Sequence, residues 1–286
     1  MIVDKNIILK RIGEKPILID VFKSQNTHKQ PIILFCHGYK GFKDWGAWNI
    51  MAEEFAKAGF CFIKFNFSHN GGTVENPIDF PDLDAFGNNN YSKELQDLND
   101  VIEWTVEKFK DNPNVDINNL NLIGHSRGGG VVTIKAEEDS RVSKVVSLAG
   151  VADFGNRFPK GQALDQWKKE GFFYVVNGRT KQKMPHFYQY YEDFKENEER
   201  LTIRRAASQL KKPHLIIHGD NDTSVSINEA YALHQWNPKS QLNIVEGADH
   251  VFNTRHPWNN KALSTELKSV INLTTTFIKQ KPAKAN

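Results

Sequence analysis

Ser126 is the residue on which a reaction could turn. It stands in Leu120-Asn121-Leu122-Ile123-Gly124-His125-Ser126-Arg127-Gly128-Gly129. Leu120, Leu122 and Ile123 suit a short buried strand, and Val131 to Glu138 suits a helix. Between the two the chain must turn sharply, and Gly124 and Gly128 lack the Cβ atoms that would clash in such a turn. Gly-x-Ser-x-Gly between a strand and a helix is the nucleophile elbow, which exposes a serine hydroxyl at a strand's carboxyl end. A serine hydroxyl near neutral pH is a weak nucleophile, so it needs a base that is itself oriented. His250, in Glu246-Gly247-Ala248-Asp249-His250, can supply the base. Asp222, in Gly219-Asp220-Asn221-Asp222, can supply the orienting acid. Asp220 is the rival acid two residues earlier, and Asp249 reads as a brace for the histidine loop.

These residues need a scaffold that brings three loops to one edge. Pro31 to Cys36 is a nearly unbroken apolar run, the sign of a strand buried on both faces. Ile2 to Leu9 and Ile17 to Phe22 read as an edge hairpin. Trp48 to Ala58 has helical spacing and stops at Gly59, Phe60 to Phe67 is the next strand, and Ser92 to Lys110 carries an apolar face at Leu95, Leu98, Ile102 and Val106. Between them, Ser68 to Asn90 is polar and reads as a long loop. Val142 to Leu148, Pro213 to His218 and Gln241 to Val245 read as further strands, with Val225 to Trp236 and Leu263 to Ile278 as helices. This alternation predicts an α/β fold with a doubly wound, mostly parallel sheet.

The rhythm breaks over residues 151–207. Eleven aromatic side chains fall between Phe154 and Phe194, about a third of the chain's total. Phe172 to Arg179 suggests a hairpin strand, and Tyr188 to Phe194 a short helix or loop. The segment reads as an aromatic-rich cap inserted into a single domain spanning 1–286. The alternative is that its aromatics only form its own small core, as a minor subdomain requires.

Composition narrows the function classes. Apolar content of 39% and charged content of 25% are ordinary for a soluble globular chain. A formal charge of +3, scattered among acids, argues against nucleic acid as a partner. No apolar stretch approaches the ~20 residues a membrane helix needs. Asp4 and Lys5 interrupt the amino-terminal apolar run, so it is not a signal peptide, and the cytoplasm is the expected compartment. Cys36 and Cys61 read as small buried hydrophobes. The ten histidines are dispersed and no phosphate loop is present, so neither a metal nor a cofactor is expected. Lys281 to Asn286 reads as a frayed tail. The expected partner is a small-molecule ester, and the oligomeric state is left open.

Gly-His-Ser-Arg-Gly-Gly, His-Gly-Asp-Asn-Asp-x-x-Val and Gly-Ala-Asp-His, in that order, resemble the α/β-hydrolase superfamily from about Pro31 to Ile278. That resemblance implies Ser126 as nucleophile, His250 as the base that later returns the proton, and Asp222 as the acid fixing the imidazole tautomer. It implies an oxyanion hole from the backbone N–H groups of Tyr39, in His37-Gly38-Tyr39, and Arg127. His125 should then point away from the nucleophile, with His37 and His218 structural. Within the superfamily the chain resembles cinnamoyl (feruloyl-type) esterases, which implies carboxylic esters of small, in part aromatic, acyl groups as substrates. Gly38, Phe42, Trp167, Phe173 and Tyr174 are the candidate substrate contacts. Tyr39 stands where those esterases carry phenylalanine, and Lys40 to Trp45 is more basic, which admits a substrate with a carboxylate or sugar hydroxyls. Two other readings stand beside the esterase. A serine aminopeptidase or amidase would hold a substrate ammonium on acids such as Glu192 or Asp193. A non-catalytic binding protein of the same fold would lack one of the three reactive residues, and none is lacking.

Overall fold

The computed structural model describes residues 1–25 and 28–280; the expected frayed tail lies outside the described residues. Strands β1 (Ile2–Arg11) and β2 (Glu14–Lys23) form the antiparallel edge hairpin. Then come β3 (Gln30–Cys36), α1 (Trp48–Lys57), β4 (Cys61–Phe65), α2 (Leu83–Gly87), α3 (Tyr91–Phe109), β5 (Val115–His125), α4 (Arg127–Glu138) and β6 (Val142–Leu148). Next are α5 (Gln162–Glu170), β7 (Phe172–Val176), β8 (Lys183–Phe187), α6 (Gln189–Glu196), α7 (Glu198–Leu201) and α8 (Ile203–Gln209). The chain finishes with β9 (His214–Gly219), α9 (Ile227–Trp236), β10 (Gln241–Val245) and α10 (Thr265–Lys279).

The main sheet runs β1-β2-β4-β3-β5-β6-β9-β10, and every neighbouring pair from β4 to β10 is parallel. The expected α/β class and doubly wound sheet are therefore the observed architecture. Alternate residues of one strand feed two cores, as the period of two requires. Ile32, Leu34 and Cys36 pack with α3 and α4 on one face. Ile33 and Phe35 pack with α1 and α10 on the other. Both cysteines are free and buried, and burial pushes the Cys61 thiol up to about 12. Among the described residues no helix is long and apolar enough to cross a membrane.

Chain order places the site. After β3 the chain winds to one side into β4, then crosses over to β5 on the other. Loops leaving the carboxyl ends of β3 and β5 therefore diverge and leave a crevice, the usual position for a ligand in an open α/β sheet. The structure departs from the pattern reading in three places. Part of the expected long loop forms α2, because the Asp82 carboxylate caps it by accepting from the Ala85 N–H. Helix α4 starts at Arg127, four residues early, its first turn being built largely of glycine. The aromatic segment holds a complete two-stranded ribbon, β7 with β8, whose second strand Pro185 disguises.

One buried feature would not be guessed from hydropathy. Lys43 and Lys64 are fully buried with Asp20, and Asp44 closes the group. Lys64 Nζ donates to Asp20 at 2.7 Å and to Asp44 at 2.5 Å, and Lys43 Nζ donates to Asp20 at 2.9 Å and to Asp44 at 2.6 Å. Two ammonium groups and two carboxylates compensate each other while tying the loop after β3 to β2 and β4.

Lys64→Met should destabilise the fold by about 3–5 kcal/mol in urea unfolding, because it leaves two carboxylates facing the single ammonium of Lys43 and one negative charge in excess. Acid should act through buried histidines. Burial holds His37 down to about 4, and His125 and His214 down to about 3, from an ordinary 6.5. The unfolded chain then binds protons that the fold refuses, so stability present above pH 6.5 is lost as pH falls toward 4. The slope is up to ~1.4 kcal/mol per histidine per pH unit. Asp97, raised by burial from 3.8 to about 6, works in the opposite sense over most of this window, though as one group against three histidines. Thermal melts from pH 7.5 to 4.5 should show Tm falling with acidity; a flat or rising Tm would contradict this balance.

Candidate active site

Ser126 joins β5 to α4 with φ 56° and ψ −118°, a backbone region that side-chain-bearing residues seldom occupy. The surroundings impose it. A Cβ on Gly124 would lie 2.1 Å from the Gly128 carbonyl oxygen, and one on Gly128 would lie 2.5 Å from that of Cys36. The Ser126 N–H donates to Leu148 O at 2.9 Å, and its carbonyl accepts from Gly129 and Val151. The serine is pinned from both sides, and its side chain lines a cavity of about 660 Å³ that His250 also lines.

His250 Nδ1 lies 2.7 Å from Asp222 Oδ2, which leaves Nε2 as the ring nitrogen able to accept a proton. Asp222 is wholly buried in its side chain and heavily hydrogen-bonded. Oδ1 accepts from the N–H groups of Ser224 and Val225 at 2.8 and 2.9 Å. Oδ2 accepts from His250 and lies 3.2 Å from His218 Nε2. Burial alone would raise this carboxyl. The hydrogen bonds from His218, His250 and Val225 outweigh burial and hold it well below the usual carboxylate range. Asp222 therefore stays ionised through the working pH range. Asp220 instead accepts from the Gly247 N–H at 2.7 Å and ties the β9 loop to the β10 loop. Asp249 accepts from Val251 and Asn253 and braces its own turn.

The His125 ring is engaged elsewhere than at Ser126, its Nε2 2.8 Å from the His250 carbonyl. His37 Nε2 accepts from the Phe67 N–H, so Nδ1 carries the proton toward Gly38 O at 2.9 Å, a neutral ring. His218 does more than hold its own loop, because it also touches the Asp222 carboxylate. The signal for this is the spacing of four from the end of β9 into its loop.

Tyr39 and Arg127 both line the cavity beside Ser126. Arg127 is the first residue of α4, so its N–H has no place in the helical ladder. Trp167 and Phe173 also line the cavity, whereas three of the expected contacts do not. Phe42 is fully buried beneath the loop with Phe80, Phe86 and Met184. Tyr174 is 54% exposed, because β7 alternates and sends Phe173 inward and Tyr174 outward. Gly38 packs its backbone against the elbow, where a Cβ would lie 2.8 Å from that of Ser126.

Not all of the segment's aromatics face the cavity. Phe154, Phe158 and Tyr190 line it while also packing around Tyr91, whose ring stacks on Phe154 at 3.8 Å. Phe194 is part of that packing and is not among the cavity-lining residues. The wall and the segment's own core are one structure. The elbow motif points to Arg127 for its backbone alone, yet its side chain is inserted among Tyr39, Tyr91 and Tyr190. Among the described residues no group of three or more His, Cys, Asp or Glu is arranged to hold a metal ion.

The chain is similar to several known proteins. It is 27% identical to the Bacillus subtilis protein named uncharacterized peptidase YtmA over 184 residues, 64% of this chain and 60% of that one. The matched region thus spans about three-fifths of that relative's length. Its fold resembles Est1E from Butyrivibrio proteoclasticus, with a TM-score of 0.70, 16% identity, and 96% and 98% of the two chains covered. It also resembles the esterase domain of a Rhodothermus marinus protein, with a TM-score of 0.62, 16% identity, and 97% and 100% covered. Residues 31–187, more than half of the chain, match the family described as alpha/beta hydrolase fold. With that match, a parallel sheet wound on both faces and a serine elbow after β5, the chain belongs to the α/β-hydrolase family.

Proposed function

We propose that this hydrolase is a serine esterase acting on carboxylic esters of small acyl groups, aromatic ones of the hydroxycinnamoyl type among them. The observation that carries the reading is the His250–Asp222 contact of 2.7 Å at the rim of a cavity that also exposes Ser126. In the proposed reaction Ser126 Oγ attacks the ester carbonyl carbon while His250 Nε2 takes its proton. Asp222 keeps the imidazole in the tautomer with hydrogen on Nδ1 and stabilises the imidazolium. The N–H groups of Tyr39 and Arg127 receive the oxyanion. Collapse breaks the bond to the alkoxy group, which leaves with the proton from His250, and the acyl group stays on Ser126. Water, deprotonated by the same nitrogen, then releases the acid and restores the serine.

The segment between β6 and β9 serves in this reading as the cap, with Trp167 and Phe173 as an apolar wall against which a ring can pack. A ferulic acid complex has been described for Est1E, which shares the fold. The name of the Bacillus subtilis relative favours a peptidase instead. An aminopeptidase needs a carboxylate for the substrate ammonium, and among the described residues no Asp or Glu lines the cavity. Glu192 and Asp193 lie on α6 and take no part in its wall.

Ser126→Ala should lower kcat on p-nitrophenyl butyrate and methyl ferulate by about a thousandfold or more. Asp222→Ala should follow with a loss of similar order, whereas Asp220→Ala should keep most of the rate. A Ser126→Ala protein as active as the parent would remove the nucleophile from this account. Turnover of aminoacyl anilides with no turnover of esters would replace the esterase by the peptidase.

A further inference from the structure

Among the described residues the wall of the cavity is charged in one sense only: Lys40, Arg127 and Arg157 line it, and no carboxylate does. Most of the remaining wall is aromatic or aliphatic, including Phe154, Phe158, Trp167 and Val151. A cation in such surroundings is poorly solvated, and a counter-ion entering the cavity is strongly favoured.

The three cations differ in what already balances them. Arg157 is ion-paired with Glu229, which lies off the cavity. Arg127 has its guanidinium carbon 4.5 Å from the centre of the Tyr39 ring, 5.4 Å from that of Tyr91 and 5.5 Å from that of Tyr190. Its Nη1 donates to Glu94 at 3.1 Å. A guanidinium has five N–H donors in a rigid fork; Glu94 uses one side of it and the ring faces fix its plane. Lys40 has no carboxylate partner among the described residues, and its Nζ lies 4.9 Å from the centre of the same Tyr39 ring. Its backbone is held at φ 53°, a conformation seldom adopted by a lysine. Burial and the charge of Arg127 both disfavour the Lys40 ammonium, so the two cations that contact the Tyr39 ring also repel each other. With Glu94 and Glu229 taking up the two arginines, one positive charge is left over, which matches a monoanion.

We propose that the preferred substrates are esters bearing a second, free carboxylate, held by Arg127 and Lys40 while the ester carbonyl lies at Ser126. This inference rests on the esterase reading of the same cavity. The planar fork of Arg127 suits two carboxylate oxygens, and the mobile ammonium of Lys40 closes on them from the loop. Tyr39 thereby has two duties, its N–H toward the oxyanion and its ring in contact with both cations. Its hydroxyl, 2.9 Å from His186 Nε2, locks that ring in place.

Two matched pairs of esters test this. Monomethyl adipate against methyl 5-carbamoylpentanoate places the acid on the acyl side; 4-carboxyphenyl acetate against 4-carbamoylphenyl acetate places it on the alcohol side. Each pair differs in charge and hardly in size. Turnover would be read as kcat/KM on the parent protein, and binding by calorimetry on the Ser126→Ala protein. In at least one pair the acid should be preferred about tenfold or more, the usual worth of a charge-assisted hydrogen bond. Lys40→Met should bring that acid-to-amide ratio toward one, and so should Arg127→Gln made together with Glu94→Gln. The ratio within one protein does not depend on how much of it is folded. An equal response to acid and amide in both pairs would overturn the inference, as would a preference untouched by Lys40→Met. Acid-selective binding without turnover would keep this inference and overturn the esterase. Turnover without acid preference would do the reverse.

Discussion

The carbonyl of Gly128 and the Cα of Gly124 approach until no side chain fits between them, and the carbonyl of Cys36 closes on Gly128 from the neighbouring strand. This contact fixes the angle at which β5 hands over to α4, and it leaves Ser126 no relaxed backbone conformation. Strain of this kind survives only where the surroundings over-determine it. Here the parallel pairing of β3 with β5, which matches Cys36 with Gly124, supplies the rigidity. The loop after β3 and the loop carrying His250 both touch that junction, through Gly38 against Ser126 and through the His250 carbonyl against His125.

From the junction outward, support comes in two different physical forms. Asp222 and His250 are held by hydrogen bonds: Asp222 accepts from two backbone N–H groups and two histidines, and Asp220 ties the β9 loop to the loop carrying His250. The loop after β3 is held by charge, through the buried Lys43, Lys64, Asp20 and Asp44 group. Opposite both lies an aromatic wall whose members also form the core of the segment that carries them. The cavity thus has polar edges fixed by hydrogen bonds and charge, and a wall that is mostly aromatic.

How much of this is legible in the sequence depends on whether the signal is local. Strands such as β3 and β5 and the elbow glycines follow from period, apolar runs and the need for a turn, all contained within a few residues. His250 and the pair Asp220 and Asp222 are legible because each comes soon after a strand and so must sit near its carboxyl end; the choice of Asp222 over Asp220 comes from the resemblance to the α/β-hydrolase superfamily, not from position. Phe42 and Tyr174 mislead as substrate contacts because composition cannot say which way a side chain faces. One is swallowed by a cluster with Phe80 and Met184, and the other falls on the outer side of a five-residue strand. The Arg127 cage is invisible for another reason: Tyr39, Tyr91 and Tyr190 come from three distant stretches, and only the folded chain brings them round one guanidinium. The partner strand β8 is hidden by Pro185.

Covalent labelling tests the proposed role of the strained Ser126 as nucleophile whatever the natural substrate. The intact protein would be treated with a fluorophosphonate, weighed, digested and mapped by mass spectrometry. A single adduct is expected, on the peptide carrying Ser126, with slow or absent labelling when Asp222 is replaced by alanine. No adduct, or one on another hydroxyl such as Ser224 at the cavity rim, would contradict it.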